Sequence, residues 1–161
     1  MRNDPIAYFL TWSTYGTWLP GDQRGWTAFQ NGWQLPAPSL ELEQKARMTD
    51  DACCLTADER RTIEDQIRDT CEHRNWLLHA VNCRSNHIHL VVSATEIAPT
   101  RIRSELKAWT TRRLKEMFDP DRGKWWAERG SIRFLFDDES LERAVLYTLV
   151  AQDRKDRDQA G

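Results

Sequence analysis

The run Ser85-Asn86-His87-Ile88-His89-Leu90-Val91-Val92 constrains this chain most, because it sets two imidazoles two positions apart inside an aliphatic, β-branched stretch. Side chains of a strand alternate between faces, so His87, His89 and Val91 share one face while Ile88, Leu90 and Val92 share the other. One face can pack against a hydrophobic layer; the other can hold an ion. Same-face neighbours lie about 6.5–7 Å apart along a strand, a gap that two imidazoles close by leaning toward a shared metal at about 2 Å from each nitrogen. The spacing permits a two-histidine metal site, and it equally permits two partly exposed histidines with ordinary hydrogen bonds.

The flanking sequence reads as strand, helix, strand, strand, helix, strand, helix. Residues 7–13 (Ala-Tyr-Phe-Leu-Thr-Trp-Ser) form a first strand, closed by Tyr15-Gly16 and Pro20-Gly21-Asp22. From 16 to about 54, glycine, proline, polar residues and the isolated Trp18, Trp26 and Trp33 show no sustained period, so a long loop insertion with a possible helical turn near 40–48 is expected. Thr56-Ala57-Asp58-Glu59 matches a capping box. Ile63, Ile67 and Cys71 then extend an apolar helical stripe that ends near 73–75. A strand over 76–84 meets the histidine strand through Ser85-Asn86, which reads as an antiparallel hairpin. Pro99 suits the first turn of a helix whose apolar face is Ile102, Leu106, Trp109 and Leu114. A strand over 131–136 and a helix from an Asp138 N-cap to about Ala151 complete the series. This order suggests an α+β fold, a ferredoxin-like split βαβ sandwich with a four-stranded antiparallel sheet, two crossover helices and an added C-terminal helix. Ile88, Leu90 and Val92 would then pack under the crossover helices, leaving the histidines on the opposite face, which the added helix can cross.

On that last helix Leu141, Val145 and Leu149 fall within about 80° of one another, and Tyr147 lies well away from them. It can be a nucleophile delivered to the histidine face, or an amphipathic tyrosine packed at an edge. The 161 residues suit one compact domain, and no apolar run approaches the roughly 18 residues of a membrane span. The opening Met-Arg-Asn-Asp-Pro lacks the apolar core of a signal peptide, so a cytoplasmic location is expected. The four cysteines have no C-x-x-C spacing and should be reduced thiols; Cys83 near the histidines is either a small buried side chain or a zinc ligand. The net charge of −2 hides an uneven distribution: from Arg101 to Arg133 there are ten bases against five acids, interleaved with Trp109, Phe118, Trp125 and Trp126. That mixture suits phosphate contact and base stacking as well as it suits a solvated helix over core tryptophans. Arg84, Asn86, Arg103, Lys107, Arg112, Arg113, Lys115 and Lys124 are the candidate DNA-binding residues.

Taken together, Phe9-Leu10-Thr11-Trp12, Tyr15-Gly16-Thr17-Trp18-Leu19-Pro20-Gly21-Asp22, Asn86-His87-Ile88-His89-Leu90-Val91-Val92 and the Tyr147 helix resemble the single-tyrosine HUH transposases, including the REP-associated tyrosine transposases. The resemblance covers most of the chain and is weakest between Gly21 and Cys54. It implies one HUH-type nuclease domain over 1–152 with a loop insertion at about 16–54, and a polar, flexible tail over 153–161. It also implies a metal-dependent endonuclease and strand transferase that acts on single-stranded DNA beside hairpins, as a homodimer, through a 5′-phosphotyrosine intermediate. Tyr147 would be the nucleophile, and His87 and His89 would hold Mg²⁺ or Mn²⁺. Relatives commonly place a third ligand, often glutamine, one helical turn after the tyrosine; here that position is Ala151, and the glutamine is Gln152, with Asp153 in reserve. On an ideal helix Gln152 sits about 140° from Tyr147, so it serves only if the helix loosens or if a second subunit completes the site. Two other readings stay open: a transposase-derived protein that binds hairpin DNA without cutting it, and an unrelated zinc protein using Cys83 with the histidines.

Overall fold

The computed structural model describes residues 3–28 and 31–151. In chain order the elements are strands β1 (Ala7–Ser13), β2 (Trp26–Ala28) and β3 (Gly32–Gln34), helices α1 (Pro38–Ala46) and α2 (Ala57–Arg74), strands β4 (Leu77–Cys83) and β5 (His87–Ser93), helix α3 (Pro99–Met117), strand β6 (Ser131–Leu135) and helix α4 (Asp138–Leu146). A π-helical turn, Tyr147–Ala151, continues α4. The main sheet is antiparallel with order β4-β5-β1-β6, and β2 pairs with β3 in a small second sheet. With α2 and α3 as crossovers, this is the ferredoxin-like arrangement that the element order suggests.

Local chemistry explains most of the boundaries. The capping box opens α2 as expected: the Glu59 amide donates to Thr56 Oγ1 at 3.2 Å and the Thr56 amide donates to Glu59 Oε1 at 2.9 Å. The helix ends at Asn75, whose φ of +59° is a left-handed cap that asparagine tolerates well. Pro99 occupies the first turn of α3, where its missing N–H leaves no bond unmade.

The alternation in β5 sorts the two faces of the sheet. Ile88, Leu90 and Val92 lie fully buried with Leu10 and Trp12 of β1, beneath Ile63 and Ile67 of α2 and Ile102, Leu106 and Leu114 of α3. Val91 on the reverse face joins Ala7 and Leu135, covered by Leu141, Ala144 and Val145 of α4. Each fully buried aliphatic side chain is worth about 1.5–3 kcal/mol. A one-residue slip of β5 would exchange the whole set between faces, so the register is strongly held.

Several expectations need correction. The stretch 16–54 holds the helical segment expected near 40–48, as α1, and also a β2–β3 hairpin that was not expected, ordered by ties to backbone groups that leave no periodic trace. The Trp18 and Trp26 indoles donate to the carbonyls of Gly25 and Leu35, and the Cys53 amide donates to the Tyr15 carbonyl. Trp109 is 40% exposed, whereas Thr110 is buried on α3, its hydroxyl accepting from the Trp126 indole. Trp125 and Trp126 are core residues rather than stacking platforms. The cap of α4 is Asp137, whose carboxylate accepts from the Ser140 amide at 2.7 Å, and not Asp138; that bond also lowers the Asp137 pKa. Finally, α-helical hydrogen bonding stops at Leu146 and does not run on to Ala151.

Candidate active site

The β1–β5 register sets Thr11 opposite His89 and Ser13 opposite His87, and β4 sets Asn82 opposite His89 on the other side. All of them share the reverse face of the sheet. The His87 and His89 rings are 4.7 Å apart, centre to centre, and nearly perpendicular at 80°. Phe9 lies parallel to His89 at 5.7 Å, and the Tyr147 ring meets His89 edge-on at 5.7 Å and Phe9 at 6.1 Å. Two imidazoles from one strand and a phenol from the terminal helix thus occupy one face, with His89 buried and His87 and Tyr147 half-buried.

Tyr147 reaches this place because the packed stripe of α4 is not the one expected from the sequence. Leu149 is 49% exposed; the positions that pack are the half-buried Leu141, Ala144 and Val145 and, in the π-helical turn, the fully buried Thr148. On the helical wheel this moves the stripe by about 50° toward Tyr147, which becomes a flanking position. The substitution of threonine for leucine has a polar cause. Thr148 Oγ1 donates back to the Ala144 carbonyl at 2.8 Å, and the Thr148 carbonyl accepts from Asn82 Nδ2 at 2.9 Å, tying the tyrosine segment to β4. The turn is also π-helical, a wider winding that occurs mostly as single turns, often at functional sites.

Both imidazoles are held by their Nδ1 atoms. Asn86 Oδ1 lies 2.6 Å from His87 Nδ1, and because a carboxamide oxygen only accepts, the proton belongs on Nδ1 and the lone pair on Nε2. Thr11 Oγ1 lies 2.9 Å from His89 Nδ1, which directs the remaining capacity of that ring to Nε2 as well. Thr11, Asn82 and Phe9 are the members of the site that sequence reasoning did not find. Their signal is cross-strand register, invisible until the strands are paired.

A divalent ion fits this donor set. With about 2 Å between metal and nitrogen, each ring centre lies roughly 3.2 Å from the ion, and ligand angles of about 90–109° put the centres about 4.5–5.2 Å apart; the observed spacing is 4.7 Å. Among the described residues no group of three or more His, Cys, Asp or Glu side chains gathers as a metal cluster. Gln152 and Asp153, the sequence candidates for a third ligand, lie outside the described residues, as does the tail over 153–161. The Cys83 zinc site does not form: Cys83 sits on the crossover-helix face, in the core, with Sγ directed to the Arg84 carbonyl. Burial, with Glu64 adding to it, pushes its thiol far above the usual range, and all four cysteines are free.

The basic candidates divide by location. Arg84 and Asn86 stand at the β4–β5 turn beside the histidines, where the Arg84 amide donates to the His87 carbonyl at 2.8 Å. The α3 residues belong to a helix on the opposite side of the sheet. There Lys107 donates to the carbonyls of Ala127 and Arg129, and Arg103 donates to that of Gly130, so both fasten the segment before β6. Burial first, then the neighbouring Arg103 guanidinium, draws the Lys107 pKa down to about 8. Arg112 is exposed, paired with Glu116 and over Trp109; Arg113 is exposed and Lys115 half-buried; Lys124 lies beside Tyr15.

An antiparallel ferredoxin-like sheet that opposes a His-x-His strand to a helix-borne tyrosine is the architecture of a tyrosine transposase. The chain belongs to the IS200-like transposases: the family described as "Transposase IS200 like" matches residues 48–132, a little over half of the chain. The match takes in α2 and the histidine strand, whereas β1 and Tyr147 lie outside it. Among the solved structures that share the fold are two transposases. One, described as a candidate transposase from Deinococcus radiodurans R1, superposes with a TM-score of 0.53 at 17% identity over 89% of this chain and 88% of its own. The other, a REP-associated tyrosine transposase bound to a REP hairpin, gives a TM-score of 0.54 at 10% identity over 94% of this chain and 69% of its own. No curated protein matches the chain at a significant level. No helix among the described residues is long and apolar enough to cross a membrane.

Proposed function

We propose that this transposase cuts single-stranded DNA beside a hairpin through Tyr147 and later rejoins the ends. The Tyr147 hydroxyl oxygen bonds to phosphorus as the bond to the 3′-oxygen breaks, leaving a 5′-phosphotyrosine and a free 3′-hydroxyl; the reverse step reseals a strand without outside energy. What supports the reading is one observation: the His87, His89 and Tyr147 rings meet on a single sheet face, each within 6 Å of a neighbour. Asn86 and Thr11 orient the two imidazoles through Nδ1, and Asn82 anchors the segment that carries the phenol. His87 and His89 would hold Mg²⁺ or Mn²⁺ by Nε2, with Gln152 as the proposed third ligand, and the bound ion would polarise the phosphate and offset its developing charge.

In this reading residues 1–152 act as one nuclease domain, in the cytoplasm and as a homodimer. Exposed Leu146, Leu149 and Val150 on the outward side of the terminal helix suit contact with a second subunit. Arg84, Asn86, Arg103, Lys107, Arg112, Arg113, Lys115 and Lys124 are the residues proposed to meet DNA, Arg84 and Asn86 nearest the cut.

The test is incubation with a single-stranded hairpin oligonucleotide and Mn²⁺, followed by denaturing electrophoresis. A covalent protein–DNA adduct is expected, absent in Tyr147→Phe. His87→Ala should also lose it while keeping hairpin affinity, because phosphate contacts carry most of the binding. Hairpin binding by the wild type without any adduct would make this a hairpin-binding protein and refute the cleavage reading.

A further inference from the structure

The insertion before α2 carries three indoles that the proposed chemistry does not use. Trp18, Trp26 and Trp33 line a cleft of about 540 Å³ together with Thr11, Ser13 and Arg129, a size within the range of small-molecule sites, about 300–1,000 Å³. Thr11 and Ser13 are the strand neighbours of His89 and His87. The cleft therefore adjoins the histidines, one strand away on the same sheet.

These indoles are fixed without being buried. Trp18 Nε1 donates to the Gly25 carbonyl at 2.7 Å, and the Arg24 guanidinium, itself paired with Asp22, lies 4.1 Å from the Trp18 ring centre. Trp26 Nε1 donates to the Leu35 carbonyl at 3.1 Å. Trp33 lies against the backbone of Gly25, where a Cβ would come within 2.2 Å of its ring and where φ is +84°, so only glycine leaves room. Yet Trp33 remains 61% exposed and Trp18 44%. A hairpin that used its tryptophans as a private core would cover them. Here the Trp18 and Trp26 N–H groups are satisfied by backbone carbonyls, Trp33 packs against Gly25, and aromatic surface is left open.

Rigid aromatic faces beside hydroxyls and a guanidinium match the chemistry of an unpaired nucleobase. Every base offers a π-face for stacking and polar edges for hydrogen bonds. We infer that this cleft is a subsite for an unpaired base of the strand being cut, next to the scissile phosphate, built by the insertion. The inference rests on the proposal that single-stranded DNA lies across His87, His89 and Tyr147.

The probe is an oligonucleotide hairpin with a short single-stranded thymidine flank, compared with the same hairpin whose flank is abasic but keeps every phosphate. Affinities are read by fluorescence anisotropy at one salt concentration. Stacking of one base predicts that the wild type binds the thymidine flank about 5- to 150-fold more tightly than the abasic flank. Trp33→Ala should bring that ratio close to one without weakening the abasic complex, and Trp33→Phe should retain most of it. A wild-type ratio near one, or an undiminished ratio in a folded Trp33→Ala protein, overturns the subsite while leaving the DNA reading intact if the Tyr147 adduct still forms. Failure of the wild type to bind either hairpin removes both.

Discussion

Replacing Thr11 by valine tests the site at one atom. The substitution keeps the β-branched shape that suits the centre of β1, so the strand register should survive. It deletes the hydroxyl of the half-buried Thr11 that lies 2.9 Å from Nδ1 of the buried His89. The lost bond should cost about 0.5–1.5 kcal/mol of stability, small against a typical total of about 5–15 kcal/mol. The larger effect falls on the metal. Partners that orient a ligating imidazole are typically worth 10- to 100-fold in affinity, or about 1.4–2.8 kcal/mol. Without the hydroxyl, His89 loses the bond at Nδ1 that directs Nε2 toward the ion. Mn²⁺ titration of DNA-free protein, followed by electron paramagnetic resonance of the free ion, should show Kd raised 10- to 100-fold in Thr11→Val and largely restored in Thr11→Ser. If Thr11→Val binds Mn²⁺ as the wild type does while His89→Ala does not, the hydroxyl has no orienting role and the reasoning fails.

Two further predictions follow from the same packing. Asn82→Ala removes the bond to the Thr148 carbonyl, so single-turnover adduct formation at saturating DNA and Mn²⁺ should slow by about tenfold or more, as misplacement of a reacting group does; a parallel loss of DNA affinity would contradict a purely positioning role. Lys107, with its pKa drawn from 10.5 to about 8, binds its proton less tightly when folded than when unfolded. The unfolded chain therefore holds more protons between about pH 8 and 10.5, and folding stability gains from this group as pH rises through that window. The thermal midpoint of the wild type should rise relative to Lys107→Gln between pH 7.5 and 9.5, as read by circular dichroism; a constant difference would show that the ammonium keeps its ordinary pKa.

The extent to which the chain could be read in advance differs from residue to residue. The alternation in 87–92 announced which side of β5 would be packed, and Ile88, Leu90 and Val92 are indeed fully buried beneath α2 and α3. The capping box at Thr56 and the proline at 99 marked helix starts through bonds made within a few residues. The insertion escaped because its order comes from indole-to-carbonyl bonds and a glycine under Trp33, which have no period. Trp125 and Trp126 read equally as stacking platforms or as core, and only their burial decided between the two. The offset of Gln152 from Tyr147 left either a loosened helix or a second subunit; the winding over Tyr147–Ala151 is π-helical, and Gln152 itself lies outside the described residues.

By itself, then, the sequence determined the order of the elements outside the insertion, the faces of the histidine strand and the starts of α2 and α3, all consequences of contacts between near neighbours in the chain. The tertiary structure alone decided that Thr11 and Asn82 flank His89, that α4 turns Thr148 inward and so brings Tyr147 to the imidazoles, and that three indoles open beside them. Strand register and helix rotation are settled by many weak contacts summed across distant segments, and no local stretch of residues contains that sum.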